Sequence, residues 1–334
     1  MLTGNPILDS IVRYGFPIIL GVIIIVLFLS SRRHRRPDVK GMTTAEYLDN
    51  FFAGHGVPPG PPRDEFVRRA KGSGFGKLYI PVVCKGGKFF AKNGFSPNKV
   101  SFLNLIAIFA MFYITIIVGE GHTSAPYSEQ PFYGFYLFPV GVLLLFVGMM
   151  DGMDGAVATF LNVKSKSGAW LDHVLDRIGD TLLLVGLLPG QFLVIPVSPE
   201  WGSLGDFSWV VWTNVLLIFL FEYMRAKHFE VGLHEVQPLL TAERWFRVVF
   251  QAAFYCIYGV NSLVGGIVYL VSGSSVIDPY PLYRHEVTYV MLIFQLLLLL
   301  IMAIAVIKNA KWVWKRLKQM DKGETTDTNS NRKV

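Results

Sequence analysis

Residues 151–176 read DGMDGAVATFLNVKSKSGAWLDHVLD and carry four carboxylates, Asp151, Asp154, Asp172 and Asp176. A long apolar run, Phe135 to Met150, precedes this stretch, and another, Thr181 to Val197, follows it. The acids therefore fall at the membrane ends of two helices. Asp151 and Asp154 are spaced i, i+3, and Asp172 and Asp176 are spaced i, i+4, so each pair shares one helical face. If the two helices are neighbours, the four acids converge. Converging carboxylates repel one another and need a cation between them. Hard divalent ions with oxygen ligands meet that need, Mg2+ or Mn2+ first. Gly155 and Gly168 flank the turn and let a backbone or a ligand come close. The plain alternative is a solvated acidic loop, but acids at membrane depth are costly and functional as a rule.

The rest of the composition agrees with a membrane protein. The chain has 334 residues, 52% of them hydrophobic, and a mean hydropathy of +0.43. That describes a polytopic all-α helix bundle and excludes a soluble domain with one core. Two cysteines, Cys84 and Cys256, are too few and too far apart for a disulfide framework or a zinc site. The formal charge is +7, but the basic residues border apolar spans, which speaks against nucleic acid as a partner.

Along the chain, the run Phe16 to Leu29 is followed at once by Arg32, Arg33, Arg35 and Arg36. A cleaved signal peptide has the reverse order, so residues 1–36 read as a membrane anchor span with a basic flank. An interfacial helix is the alternative. Residues 37–75, with VPPGPP at Val57 to Pro62, read as a cytoplasmic linker with short helices near Thr44 to Phe52 and Arg63 to Lys71. From Lys77 to Lys92, apolar residues alternate with lysines, which suits an amphipathic helix in the membrane interface. Six further spans follow: Val100 to Val118, Phe135 to Met150, about Trp170 to Val197, Trp209 to Phe221, Val248 to Val271 and Val287 to Ile307. The loops 119–134 and 198–208 have no Lys or Arg, whereas Lys164, Lys166, Arg225, Lys227, Arg244 and Arg247 lie on the opposite side. The positive-inside rule then puts the acids on the cytoplasmic side of the cell membrane. Residues 319–334 read as a disordered tail.

The Asp151–Asp176 stretch resembles the signature of the CDP-alcohol phosphotransferase family, D-x2-D-G-x2-A-R-x8-G-x3-D-x3-D. Asp151, Asp154, Gly155, Ala158, Gly168, Asp172 and Asp176 fall in register, and Thr159 stands where the pattern has arginine. The resemblance implies a six-span family core over residues 76–318, with the N-terminal span added to it. It implies metal-dependent transfer of a phosphoalcohol group from a CDP-linked donor to a hydroxyl, with release of CMP. Asp151, Asp154, Asp172 and Asp176 would hold two ions, Mg2+ or Mn2+, and Asp176 would be the general base. The stretch GFSPNKVS, Gly94 to Ser101, resembles the family element at the start of the first core span. By that resemblance Pro97, Asn98 and Ser101 would lie near the cytidine, with Gly155, Ala158 and Gly168 close to the nucleotide. Ser96 as N-cap and Pro97 as first helical residue explain the element equally well.

Residues 222–247, EYMRAKHFEVGLHEVQPLLTAERWFR, resemble a segment of phosphatidylinositol-phosphate and phosphatidylglycerophosphate synthases. The resemblance implies that Arg225, Lys227, Arg244 and Arg247 bind the phosphate of a polyol-phosphate acceptor; Glu243 and Arg244 match its second half. Arginine grips phosphate through two donors, and lysine acts as a point charge. His173, His228 and His234 lack metal-ligand spacing and read as non-ligands. The partners implied are a CDP-lipid such as CDP-diacylglycerol, a polyol phosphate, the lipid bilayer and a second copy in a homodimer. The place of this chemistry is phospholipid biosynthesis. The competing readings are a CDP-choline or CDP-ethanolamine phosphotransferase with a lipid acceptor, a non-enzymatic cation-binding membrane protein, and a non-catalytic relative that has lost its arginine at Thr159.

Overall fold

The computed structural model describes residues 10–36, 39, 42–54, 60–72, 77, 79–124, 133–189, 192–195, 205–233, 244–272 and 280–322. Of the tail expected to be disordered, residues 319–321 instead continue the last helix, because its hydrogen-bonded turns run on through Asp321, and residues 323–334 lie outside the described residues, as do His234 and Glu243. The first helix, α1 (Phe16–Arg32), continues from a single π-helical turn at Ile11–Gly15. Two short helices follow, α2 (Thr44–Gly54) and α3 (Pro61–Gly72). Next come α4 (Ile80–Lys92), α5 (Pro97–Ser124), α6 (Leu137–Leu161), α7 (Lys166–Val185), α8 (Ser208–Glu230), α9 (Arg244–Ser272) and α10 (Tyr280–Asp321). The described residues are all-α apart from two paired dipeptides between α7 and α8, where Val194 pairs with Asp206 and Ile195 with Gly205.

Among the described residues, six helices are long and apolar enough to cross a membrane: α1, α5, α6, α8, α9 and α10. This is an integral membrane protein. The helix α7 has the length, because 20 residues rise about 30 Å. It carries Asp172, Asp176, Arg177 and Asp180, and it packs against α5 and α8. It also stops at Val185, where the sequence suggested a span running on to Val197; turns and the Val194–Ile195 strand take over.

The main core joins α5 through α10, with Met111, Leu144, Val211, Phe254, Tyr255 and Met302 fully enclosed. A second core forms where α4 crosses the C-terminal half of α6. Ile80, Val83, Cys84, Gly87, Phe90 and Ala91 recur at helical spacing on the buried face of α4. Val82, Lys85 and Phe89 are exposed on its other side, as an interfacial helix requires. Tyr47 and Leu48 of α2 belong to this second core. Part of the stretch read as a linker is thus docked onto the membrane domain. The start of α2 is a capping box: Thr43 Oγ1 accepts from Glu46 N at 3.2 Å, and Glu46 Oε2 accepts from Thr43 N at 2.7 Å.

The added helix α1 lies on α5. The Phe16 ring stacks on Tyr113 at 5.2 Å, and the Tyr113 hydroxyl donates to the carbonyl of Arg13. Lys99 Nζ donates to Ser30 Oγ at 2.9 Å and to Ser31 Oγ at 3.2 Å. Ile18, Ile19, Val22, Ile25, Val26 and Leu29 are exposed, so most of α1 presents apolar surface suited to the acyl chains of a bilayer.

Candidate functional site

The two acid pairs face one another across the α6–α7 turn. The helix α6 ends because Asn162 adopts a left-handed conformation (φ 54°), with Val163 N bonding back to Ala158 O at 3.0 Å. The next helix starts two residues later, where Ser165 caps α7 by accepting from Gly168 N at 3.0 Å. This short turn redirects the chain into α7, which packs on α5, the helix that also packs on α6. Carboxylate oxygens of Asp151, Asp172 and Asp176 then lie within 4.8 Å of one another.

Asp154 stands beside this triad and is held separately. Its Oδ2 accepts from Ser101 Oγ at 2.5 Å and its Oδ1 accepts from Gly155 N at 2.5 Å. Both bonds leave the carboxylate little freedom. Pro97 is the first residue of α5, and Lys99 N reaches Ser96 Oγ at 3.4 Å, so this element is also a helix start. One turn on, Ser101 aims the Asp154 carboxylate.

A cavity of about 410 Å3 opens from Asp154 and Asp172 toward the N-terminus of α7. Pro97, Asn98, Ser101, Gly155, Ala158 and Gly168 all line it, together with Val163, Lys164 and Ser165. All six residues that the resemblance put near the nucleotide therefore share one wall. A Cβ built on Gly155 would meet nothing within 4 Å. Packing within the chain does not require glycine there, and the space that Gly155 leaves free belongs to the cavity.

Arg244, at the start of α9, enters the acid cluster. Its Nη1 donates to Asp151 and lies 2.6 Å from Asp176 Oδ1, and its Nε lies 3.4 Å from Asp180 Oδ1. Arg247, one turn later, donates to Asp180 Oδ2 at 2.8 Å and lies 3.6 Å from Glu222 Oε1. Arg177 bridges the same two acids at 3.2 Å each, and Arg225 lies 3.8 Å from Glu222. Asp180 is 7% exposed and Arg247 5% exposed. Charges this deep must be paired, and these form one continuous ion-pair network. Sequence reasoning did not single out Asp180, although Asp172, Asp176 and Asp180 at i, i+4 and i+8 form a single stripe on α7.

The basic residues of the 222–247 segment separate into two groups. Arg225, Arg244 and Arg247 meet at the network. Lys227 does not: α8 continues to Glu230, so residues two apart point to different sides, and Lys227 Nζ bonds Glu230 Oε2 at 2.6 Å on the exposed surface. His173 is exposed, and His228 is buried beside the rings of Phe229 and Trp312.

The donor set of Asp151, Asp172 and Asp176, all oxygen and all carboxylate, fits a hard divalent cation. Arg244 supplies part of the counter-charge. Asp154 sits on the cavity side, where its oxygens face the wall that Ser101 builds.

The sequence profile described as CDP-alcohol phosphatidyltransferase matches residues 95–314. An uncharacterized protein of Aquifex aeolicus is 31% identical over 172 residues, 51% of this chain and 72% of that protein. An archaetidylinositol phosphate synthase of Pyrococcus horikoshii is 29% identical over 107 residues, 31% of this chain and 46% of that enzyme. A second enzyme of that name, from Aeropyrum pernix, is 34% identical over 85 residues, 21% of this chain and 44% of that enzyme. The matches thus span less than half the length of these two named relatives.

Proposed function

We propose, because this chain belongs to the CDP-alcohol phosphatidyltransferase family, that it moves a phosphatidyl-type group from a CDP-lipid to a hydroxyl of a polyol phosphate. The products are CMP and a phospholipid phosphate. The family uses a CDP-alcohol donor, an alcohol acceptor and membrane lipid, and it is divalent-metal dependent. The observation that carries the reading is the cavity in which Asn98, Ser101, Gly155 and Gly168 face Asp154 and Asp172.

Asp151, Asp154, Asp172 and Asp176 would hold Mg2+ or Mn2+, two ions on this reading. When bound, the metal neutralises the donor diphosphate and the departing CMP. Asp154, aimed by Ser101, and Asp172 are the members that line the nucleotide cavity. Asp176 accepts the proton of the attacking hydroxyl, and Arg244 beside it orients that carboxylate. The small residues Gly155 and Ala158 admit the donor against α6. The acceptor phosphate would be met by Arg244, Arg247 and Arg225, with Lys227 as an outlying charge. The names of the two archaeal relatives favour an inositol phosphate among the polyols. The reading places the site on the cytoplasmic side of the cell membrane, in a core over residues 76–318, and the family resemblance adds assembly as a homodimer.

The test is CMP release by the purified protein from CDP-diacylglycerol and from CDP-archaeol with Mg2+. Inositol 1-phosphate, glycerol 3-phosphate, inositol, serine and choline are offered in parallel. We expect turnover with a phosphorylated polyol and none with excess chelator. Arg244→Ala should raise the acceptor KM at least about tenfold, since a charge-assisted bond is worth ~1.5–3 kcal/mol. Preference for an unphosphorylated alcohol would overturn the acceptor assignment.

A further inference from the structure

The pattern's arginine is absent at Thr159, yet a CDP-linked donor brings two phosphates to an acid-walled cavity. Thr159 does not replace that charge: its hydroxyl donates to Gly155 O at 2.8 Å, turning it back on its own helix. Three cations lie near in sequence, Lys164, Lys166 and Arg177. The fold separates them. Arg177 does not line the cavity and lies 3.2 Å from Asp180 and from Glu222. Lys166 is absent from the cavity wall, whereas Lys164 lines it. Among the described residues of that wall, Lys164 is the one cation and Asp154 and Asp172 are the two acids.

The position of Lys164 follows from the turn. The left-handed Asn162 stops α6, and Ser165 starts α7, so Lys164 stands between a helix end and a helix beginning. Ser165, Gly168 and Ala169, also in the wall, belong to the first turn of α7 and its cap. That end of a 20-residue helix carries the positive pole of its backbone dipoles. The cavity is therefore polarised, with Asp154 of α6 and Asp172 of α7 on one side and Lys164 and the start of α7 at the turn. Such a cavity suits a diphosphate, whose charge Lys164 on the turn and a cation held by the acids would share.

The geometry points to Lys164 as the residue that grips the diphosphate of the CDP-linked donor, in the place the pattern gives to arginine. This rests on the reading of the cavity as the donor site. The contact is electrostatic and leaves the nucleoside untouched. It makes Lys164 a binding residue specific to this chain, supplied by the turn and not by α6.

The test measures binding of CDP, CMP and cytidine to the full-length protein in detergent with Mg2+, for wild type, Lys164→Ala, Lys164→Arg and Lys166→Ala. Lys164→Ala should weaken CDP about ten- to hundredfold and leave cytidine within about twofold of wild type. Lys164→Arg should keep most of the CDP affinity, and Lys166→Ala should match wild type. Unchanged CDP affinity in Lys164→Ala overturns the assignment. Equal losses for CDP and cytidine also overturn it, because a charge on the diphosphate spares the nucleoside. If wild type binds none of the three, the donor-site reading itself fails, and the assignment with it.

Discussion

Ser101 donates to Asp154, a candidate metal ligand, and so fixes one of its oxygens. A serine that donates to a candidate ligand acts as an outer-shell partner, and losing such a partner costs about 10- to 100-fold in metal affinity. Ser101→Ala should therefore weaken Mn2+ binding by about tenfold, read by electron paramagnetic resonance of the free ion. Unchanged Mn2+ affinity would remove Asp154 from the ligand set or Ser101 from its support. Asp176 makes the complementary case. Asn keeps the shape of the side chain but cannot take a proton. Asp176→Asn should lower kcat by about 10^2-fold or more while CDP affinity stays within a few-fold. Near-normal turnover would move the base elsewhere. Thr159→Arg would add a second cation to a site where Lys164 already serves, and CDP affinity should stay equal or rise.

At the scale of elements, α7 is held by charge as much as by packing. Asp180 meets Arg177, Arg244 and Arg247, and Arg247 also approaches Glu222 on α8. Removing one partner leaves a buried charge undercompensated, which costs ~3 kcal/mol, whereas removing both partners costs less. Arg247→Met should lower the thermal unfolding midpoint clearly in detergent. The double change Asp180→Asn with Arg247→Met should recover part of that loss. A neutral Arg247→Met would mean that the network orders the site without stabilising it. The corner between α4 and α5 depends on Gly94. Its φ is +81°, and an added Cβ would sit 2.2 Å from Ser31 O. Gly94→Ala should push the end of α1 off this corner, seen as faster amide exchange across residues 31–36. Unchanged exchange there would show that α1 is anchored by Lys99 and Phe16 alone.

For the whole molecule, the matter is sidedness. Lys164, Lys166 and the α8–α9 segment carry the positive charge, whereas the opposite loops 119–134 and 198–208 have no Lys or Arg and the loop 272–286 has Arg284 alone. With Cys84 and Cys256 replaced, a cysteine at Ser167 and one at Lys318 should react with a membrane-impermeant thiol reagent from the same side. A cysteine at Ser203 should react from the other side. Labelling of Ser167 and Ser203 positions from one side would refute the topology.

The sequence by itself determined the class of the fold and named most of the residues that meet at the candidate site. Apolar run lengths are a local property, and they marked α1, α5, α6, α8, α9 and α10 without reference to any contact. The spacing of Asp151, Asp154, Asp172 and Asp176 is local as well, because helical periodicity settles which side chains share a face. Pro97, Asn98, Ser101, Gly155, Ala158 and Gly168 were named from the sequence, through a resemblance, and they share a cavity wall. Tertiary structure alone decided which charges meet across helices. Arg244 stands 93 residues from Asp151 and bonds it, while Lys227 has the same composition-level credentials and faces away. Nothing in a linear charge count separates these two, since the difference lies in where α8 ends and α9 begins. The same holds for Asp180, for Tyr47 and Leu48 in the second core, and for the choice of Lys164 over Lys166 and Arg177. Partnership of buried charges and apolar surfaces depends on long-range packing, which becomes definite only when the helices have been brought together.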